Sequence, residues 1–136
     1  MQLTQQLAEL QAKVTDRGLV VTFGDVLFAT GGAALKAEAA ADLSNLGAFL
    51  AEYPARTVVI EGHTDSLGTQ GFNDGLSQRR ADAVMAYLIA HGLNPRRIRA
   101  LGKGESEPVA ANHSAAGRQS NRRVEVIIQN PPAALR

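Results

Sequence analysis

The chain is 136 residues long, the size of one ordinary domain, and its 14 basic and 13 acidic side chains give a net charge of +1, unsuited to a coat for nucleic acid. Apolar residues make up 45% and charged residues 20%, which permits a real core and excludes global disorder; aromatics, at 4%, leave that core to Val, Ile, Leu and Ala. The absence of Cys excludes a disulfide, a thiolate metal site and a Cys nucleophile, and no run approaches the ~18 apolar residues of a membrane-spanning helix.

Met1–Val14 is polar, with Leu3, Leu7, Leu10 and Val14 at helical spacing, and lacks the basic head and apolar stretch of a signal peptide. Residues 1–17 read as a helical linker, either the end of an upstream helix or a frayed helical cap. Leu19–Phe23, flanked by Gly18 and Gly24, predicts a strand. After a loop ending in Thr30-Gly31-Gly32, Leu35, Ala39, Leu43, Leu46 and Leu50 predict an amphipathic helix over Ala33–Glu52, closed by Tyr53-Pro54. Thr57–Gly62 predicts a second strand, and a Gly/Ser/Thr loop leads to a helix reaching about Ala90, with Gly92 at its C-terminal cap. Asn94-Pro95 turns into a third strand, Arg97–Leu101, and a short helical turn near Ser114–Gln119 precedes the strand Arg123–Ile128. Residues 130–136 read as a tail. The order β-α-β-α-β-(short α)-β predicts an α/β sandwich: a four-stranded mixed sheet with two main helices on one face. Arg123 and Glu125, alternating with Val124, Val126 and Ile128, predict that the other face is wet.

Charge is uneven along the chain. Residues 1–78 hold 4 basic and 9 acidic side chains, whereas 79–136 hold 10 basic and 4 acidic. Eleven of the basic residues are Arg, clustered at Arg79–Arg80, Arg96–Arg97–Arg99 and Arg122–Arg123. The planar guanidinium suits an oxyanion. In the second helix, Asn73, Leu76, Ser77, Arg80, Val84 and Leu88 share one face, which puts Arg80 in a core-facing stripe. A buried cation needs an anion. One reading pairs Arg80 internally with Asp65, in the strand-end loop Gly62-His63-Thr64-Asp65-Ser66; the other makes the two groups a site, where ligands meet helix N-termini and strand ends. An acid and an Arg at one mouth suit a zwitterion, ammonium on Asp65 and carboxylate on Arg80. Both readings stand on the residues alone. The three His are scattered without an HExxH or His-x-His pair, so no metal site is expected, and no GxSxG elbow or phosphate-loop spacing points to an enzyme.

Four motifs occur in order: Glu61-Gly62-His63-Thr64-Asp65, Asn73-x-x-Leu76-Ser77-x-x-Arg80-Ala81, Gly102-x-Gly104-Glu105-x-x-Pro108, and Asn112 with Gly117-Arg118-x-x-Asn121-Arg122-Arg123-Val124-Glu125. With Leu27-Phe28, they closely resemble the OmpA-like (OmpA/Pal/MotB) peptidoglycan-binding domain over about residues 18–129. The resemblance implies a non-catalytic module without a cofactor that grips the diaminopimelate of the stem peptide, tethering the outer membrane or an envelope complex to the wall. It implies that Asp65 takes the ammonium, Arg80 takes the carboxylate, Asn73 helps hold the ligand, and Thr30 and Gly31 close the pocket. Thr64, Ser77 and Arg122 are secondary candidates, a structural role for Arg122 being as well founded as contact. Ala29 departs from the pattern: many relatives carry Asp there, which implies one polar contact fewer. Arg96, Arg97 and Arg99 lie outside the motifs and are expected on the surface. The expected setting is the periplasm of a Gram-negative bacterium, with a monomer or weak dimer held at the outer membrane only through a segment absent from this chain. The alternative is a protein–protein module of a stator or secretion complex with secondary wall binding.

Overall fold

A computed structural model describes residue 8 and residues 10–24, 27–29 and 32–130. Their elements in chain order are β1 (Lys13–Thr15), β2 (Gly18–Gly24), α1 (Ala39–Glu52), β3 (Val58–His63), α2 (Gln70–Ala90), β4 (Ile98–Gly102), α3 (Ala115–Asn121) and β5 (Arg123–Ile128), with a 3-10 turn at Pro95–Arg97. The sheet order is β1-β2-β5-β3-β4. Only β3 and β4 are parallel, joined through α2. The α/β sandwich is the one expected, with one strand more.

That strand corrects the helical reading at residues 13–15, whereas residues 8 and 10 are helical and residues 1–7 and 9 lie outside the described residues. Lys13–Thr15 pairs with Val20–Gly18 in a tight hairpin, and Gly18 supplies its φ of 117°. Such a turn needs a left-handed residue, which glycine adopts without a Cβ clash. The first main helix also begins later than the spacing suggests. Leu35 fits the helical stripe, yet it bridges Phe28 instead, with Ala29 N–H donating to Ala34 O and Lys36 N–H to Leu27 O. Periodicity cannot separate an apolar residue one turn ahead of a helix from one inside it.

Strand alternation sorts the sheet into two faces. One carries Leu19, Val21, Val58, Ile60, Val126 and Ile128, which pack with Leu43, Leu46, Phe49 and Leu50 of α1 and with Ala81, Val84 and Leu88 of α2. α2 approaches the sheet closely because glycines meet it. A Cβ on Gly62 would stand 2.1 Å from Ser77 O, and one on Gly102 would stand 2.5 Å from Gln78 N. The Gln78 amide then bonds β4 itself, accepting from Gly102 N–H at 2.8 Å and donating to Ala100 O at 3.1 Å.

The second face is wet, as expected, at Thr22 and Arg99, but not across its centre. Val59, Glu61, His63, Arg123 and Ile127 are all buried there. Arg17 reaches from the β1–β2 turn to make two hydrogen bonds with Glu61, at 3.1 and 2.6 Å. Arg123 ties Glu125 Oε2, Asn121 O and Glu107 O together. Charged side chains thus close over the centre of this face, which a polar/apolar alternation cannot distinguish from solvation. Burial raises the Glu61 carboxyl, but the Arg17 hydrogen bonds and charge more than offset this and leave it below its ordinary value. Burial, with the Arg123 charge, holds the His63 imidazole below its ordinary range.

Arg97 also departs from the surface expectation. Its guanidinium donates to Leu50 O, Tyr53 O and Arg56 O at 2.7–3.1 Å, satisfying carbonyls at and beyond the end of α1. Arg96 and Arg99 are exposed, as expected. Among the described residues, no helix is long and apolar enough to cross a membrane.

Candidate functional site

β3 ends at His63, and loop 64–69 leads into α2, whose N-cap Thr69 accepts from Phe72 N–H. Asp65 therefore sits between the carboxyl end of a strand and the N-terminus of a helix. The loop is fixed by its neighbours. Thr64 N–H donates to Gly104 O at 2.8 Å and Thr64 Oγ1 to Asp65 O at 2.9 Å. Asn73 Nδ2 bonds Asp65 O at 3.3 Å and Glu105 Oε1 at 3.2 Å. The Asp65 side chain is held as firmly: Oδ1 accepts from Leu67 N–H at 3.0 Å, and Oδ2 from Arg122 Nη1 at 2.7 Å.

Arg80 lies on the core-facing stripe of α2 and is only 3% exposed. Its Nε donates to Gly32 O at 2.8 Å, and its guanidinium carbon stands 4.9 Å from the centroid of the Phe28 ring. An aromatic face and a carbonyl together fix the plane of the guanidinium, the orientation that a two-point grip on a carboxylate requires.

The internal reading of the Asp65–Arg80 pair is replaced by a different pairing. Asp65 is matched with Arg122, the C-cap residue of α3, and Arg80 is placed on Gly32 and Phe28. Asp65, Asn73, Ser77 and Arg80 are buried together around loop 64–69 and the first half of α2, and Thr64 joins them. Ser77 serves the scaffold, donating to Asp74 O and accepting from Gly104 N–H. Ala29 is exposed between Phe28 and Gly32, the two supports of Arg80. Thr30 and Gly31 lie outside the described residues.

Three supporting groups escaped the residue-by-residue reading. Phe28 and Glu105 stood in the motifs, but nothing local marks one as a platform for Arg80 and the other as an acceptor for Asn73. The Gly32 carbonyl leaves no side-chain signal at all. Leu67 and Phe72, 60% and 55% exposed, add an apolar rim on either side of Thr69. A groove of about 870 Å³ lies on the other face of the sheet between the β1–β2 hairpin and α3. Arg122 lines it and also reaches Asp65.

Residues 27–122 match the model of the OmpA family. The chain belongs to this family. It is 48% identical over 105 residues to outer membrane porin F of Pseudomonas fluorescens, an alignment that covers 77% of this chain and 32% of the porin. Probable lipoprotein YiaD of Escherichia coli is 39% identical over 133 residues, covering 90% of this chain and 61% of that protein. The chain therefore spans between a third and three-fifths of these curated relatives. The solved structure of the cell wall anchor of the T6SS from Pseudomonas aeruginosa superimposes with a TM-score of 0.79 at 34% identity, covering 94% of this chain and 97% of that one. In OmpA-family terms, the four sequence motifs surround a single place: strand β3, loop 64–69, the face of α2 and the end of α3.

Proposed function

We propose that this chain binds peptidoglycan without catalysing any reaction, through the diaminopimelate of the stem peptide. Asp65 receives the free ammonium, and Arg80 receives the carboxylate of the same carbon. Asn73 holds the loop that carries Asp65. The observation that carries this reading is a buried acid and a buried, plane-locked guanidinium supported by separate partners, so that neither requires the other for its place. Membership of the OmpA family and similarity to a protein described as a cell wall anchor support the same reading.

One zwitterion makes few contacts, so a single site reaches only micromolar to millimolar strength, roughly −4 to −8 kcal/mol. A wall polymer presents many identical stems, and anchoring at the outer membrane on the periplasmic side turns weak contacts into a firm tether by raising effective concentration. Calorimetric titration with meso-diaminopimelate, together with retention on purified sacculi, tests the proposal. Asp65→Ala and Arg80→Ala are each expected to abolish measurable binding, since each removes a charge-assisted contact of about 1.5–3 kcal/mol. Unchanged affinity in either variant overturns the site, and release of soluble fragments from sacculi overturns the non-catalytic reading. A protein–protein module of an envelope complex predicts no retention on the wall with or without Asp65.

A further inference from the structure

On the face of the sheet turned away from α1 and α2, the register places Glu61 directly opposite Glu125, and His63 opposite Arg123. Like charges facing each other across an antiparallel pair are unfavourable unless a cation intervenes. His63 is only 1% exposed, and neither ring nitrogen has a hydrogen-bond partner among the described residues. Its Nε2 stands 3.7 Å from Glu61 Oε1 and 3.9 Å from Glu125 Oε1, too far for hydrogen bonds. Glu107, from the segment after β4, brings a third carboxylate; one donor atom each from Glu61, His63 and Glu107 lie within 4.8 Å of one another. Buried polar groups are nearly always satisfied, so an orphaned imidazole among three carboxylates is an exception with a direction.

We propose that Glu61, His63 and Glu107, with Glu125 beside them, bind a divalent cation of the zinc class. Donors of one tetrahedral ion at ~2.0–2.2 Å sit ~3.3–3.6 Å apart, so a contraction of less than about 1.5 Å closes this set. One imidazole with carboxylates is the mixed N/O set that suits zinc better than calcium or magnesium, which take oxygen alone. Three cations border the cluster. Arg123 is turned to Glu125 Oε2 and two backbone carbonyls, and Lys103 stands 4.0 Å from Glu107. Arg17 holds the ligand Glu61 by direct hydrogen bonds and Lys103 pairs more loosely with the ligand Glu107; both are at least partly exposed side chains that can turn to solvent when the ion arrives. Glu107, whose side chain is 54% exposed, is the door. No His pair marks this site in the sequence because its donors come from β3, the segment after β4, and β5. The site is separate from Asp65 and Arg80 and does not depend on the wall-binding reading.

The experiment is calorimetric titration of chelator-treated protein with zinc chloride, with thermal unfolding recorded alongside. One ion per chain and a raised Tm are expected for the wild type. Glu107→Gln, at a half-exposed position that leaves the fold intact, and His63→Gln are each expected to weaken binding roughly 10–100-fold. Arg17→Ala is expected to tighten binding severalfold by removing a competitor, while His91→Gln and His113→Gln leave it unchanged. Absence of zinc binding in the wild type overturns the proposal. So does wild-type affinity in Glu107→Gln, whatever the fate of His63→Gln.

Discussion

Arg80 and Arg97 show how the same side chain is used for opposite ends at the scale of single residues. Arg80 has its Nε on one carbonyl and its face on Phe28, an arrangement that fixes a plane. Arg80→Lys keeps the charge but loses the fork and the stacking, so diaminopimelate affinity is expected to fall nearly as far as in Arg80→Ala. Titration of the two variants side by side checks this, and a Lys variant that binds like wild type would refute the two-point grip. Arg97 spends its donors on Leu50 O, Tyr53 O and Arg56 O. Arg97→Ala is expected to destabilise the domain by about 1.5–3 kcal/mol, measured by urea unfolding, without affecting ligand affinity. The sequence presents Arg96, Arg97 and Arg99 as equivalent; only the packing of the 3-10 turn against the end of α1 singles out the middle one.

Among the elements, α2 does most to build the candidate site, because it carries Asn73, Ser77 and Arg80 on the face it lays against the sheet. Its height over β3 is set by Gly62, where an added Cβ would stand 2.1 Å from Ser77 O, a backbone atom that cannot swing away. Gly62→Ala is therefore expected to cost about 1–3 kcal/mol or more in stability and to lift the first half of α2. Chemical denaturation measures the first effect and diaminopimelate titration the second. Loss of stability with binding intact would mean that the helix is not the element that sets the site. The end of α2 at Ala90 was legible from its apolar spacing and from Gly92, whose φ is 108°. The late start of α1 was not, because Leu35 is used by an isolated bridge rather than by the helix.

In the whole molecule, the second face of the sheet makes stability depend on pH. The imidazole of His63 is held below its ordinary value of 6.5, so below about pH 6.5 the unfolded chain binds a proton that the folded chain resists, and stability falls. Glu61 is also held below its ordinary value of 4.5; the stability it contributes is complete above that value and disappears as pH falls through the lower folded one. Both groups act in the same direction. With chelator present, unfolding free energy is expected to decline steadily from about pH 6.5 downward. His63→Gln is expected to flatten the upper part of that decline and leave the lower part. A profile that is flat or rises on acidification through this window would contradict the burial of His63 as a neutral ring.

By itself the sequence determined the order of the elements, the four long strands and the two main helices, and it marked Asp65, Asn73 and Arg80 as candidates. It did so because these depend on local periodicity and on motifs whose residues are close in the chain. Tertiary structure alone decided who partners whom. Asp65 takes Arg122, 57 positions away, and Arg17 covers Glu61, 44 positions away. The short strand β1 exists only because β2 offers it an edge. The centre of the charged face is buried because Arg17 reaches Glu61 from the β1–β2 turn and Arg123 reaches Glu107 O, 16 positions away. Long-range pairing is a property of the closed sheet and leaves no period in the chain for a reader to find.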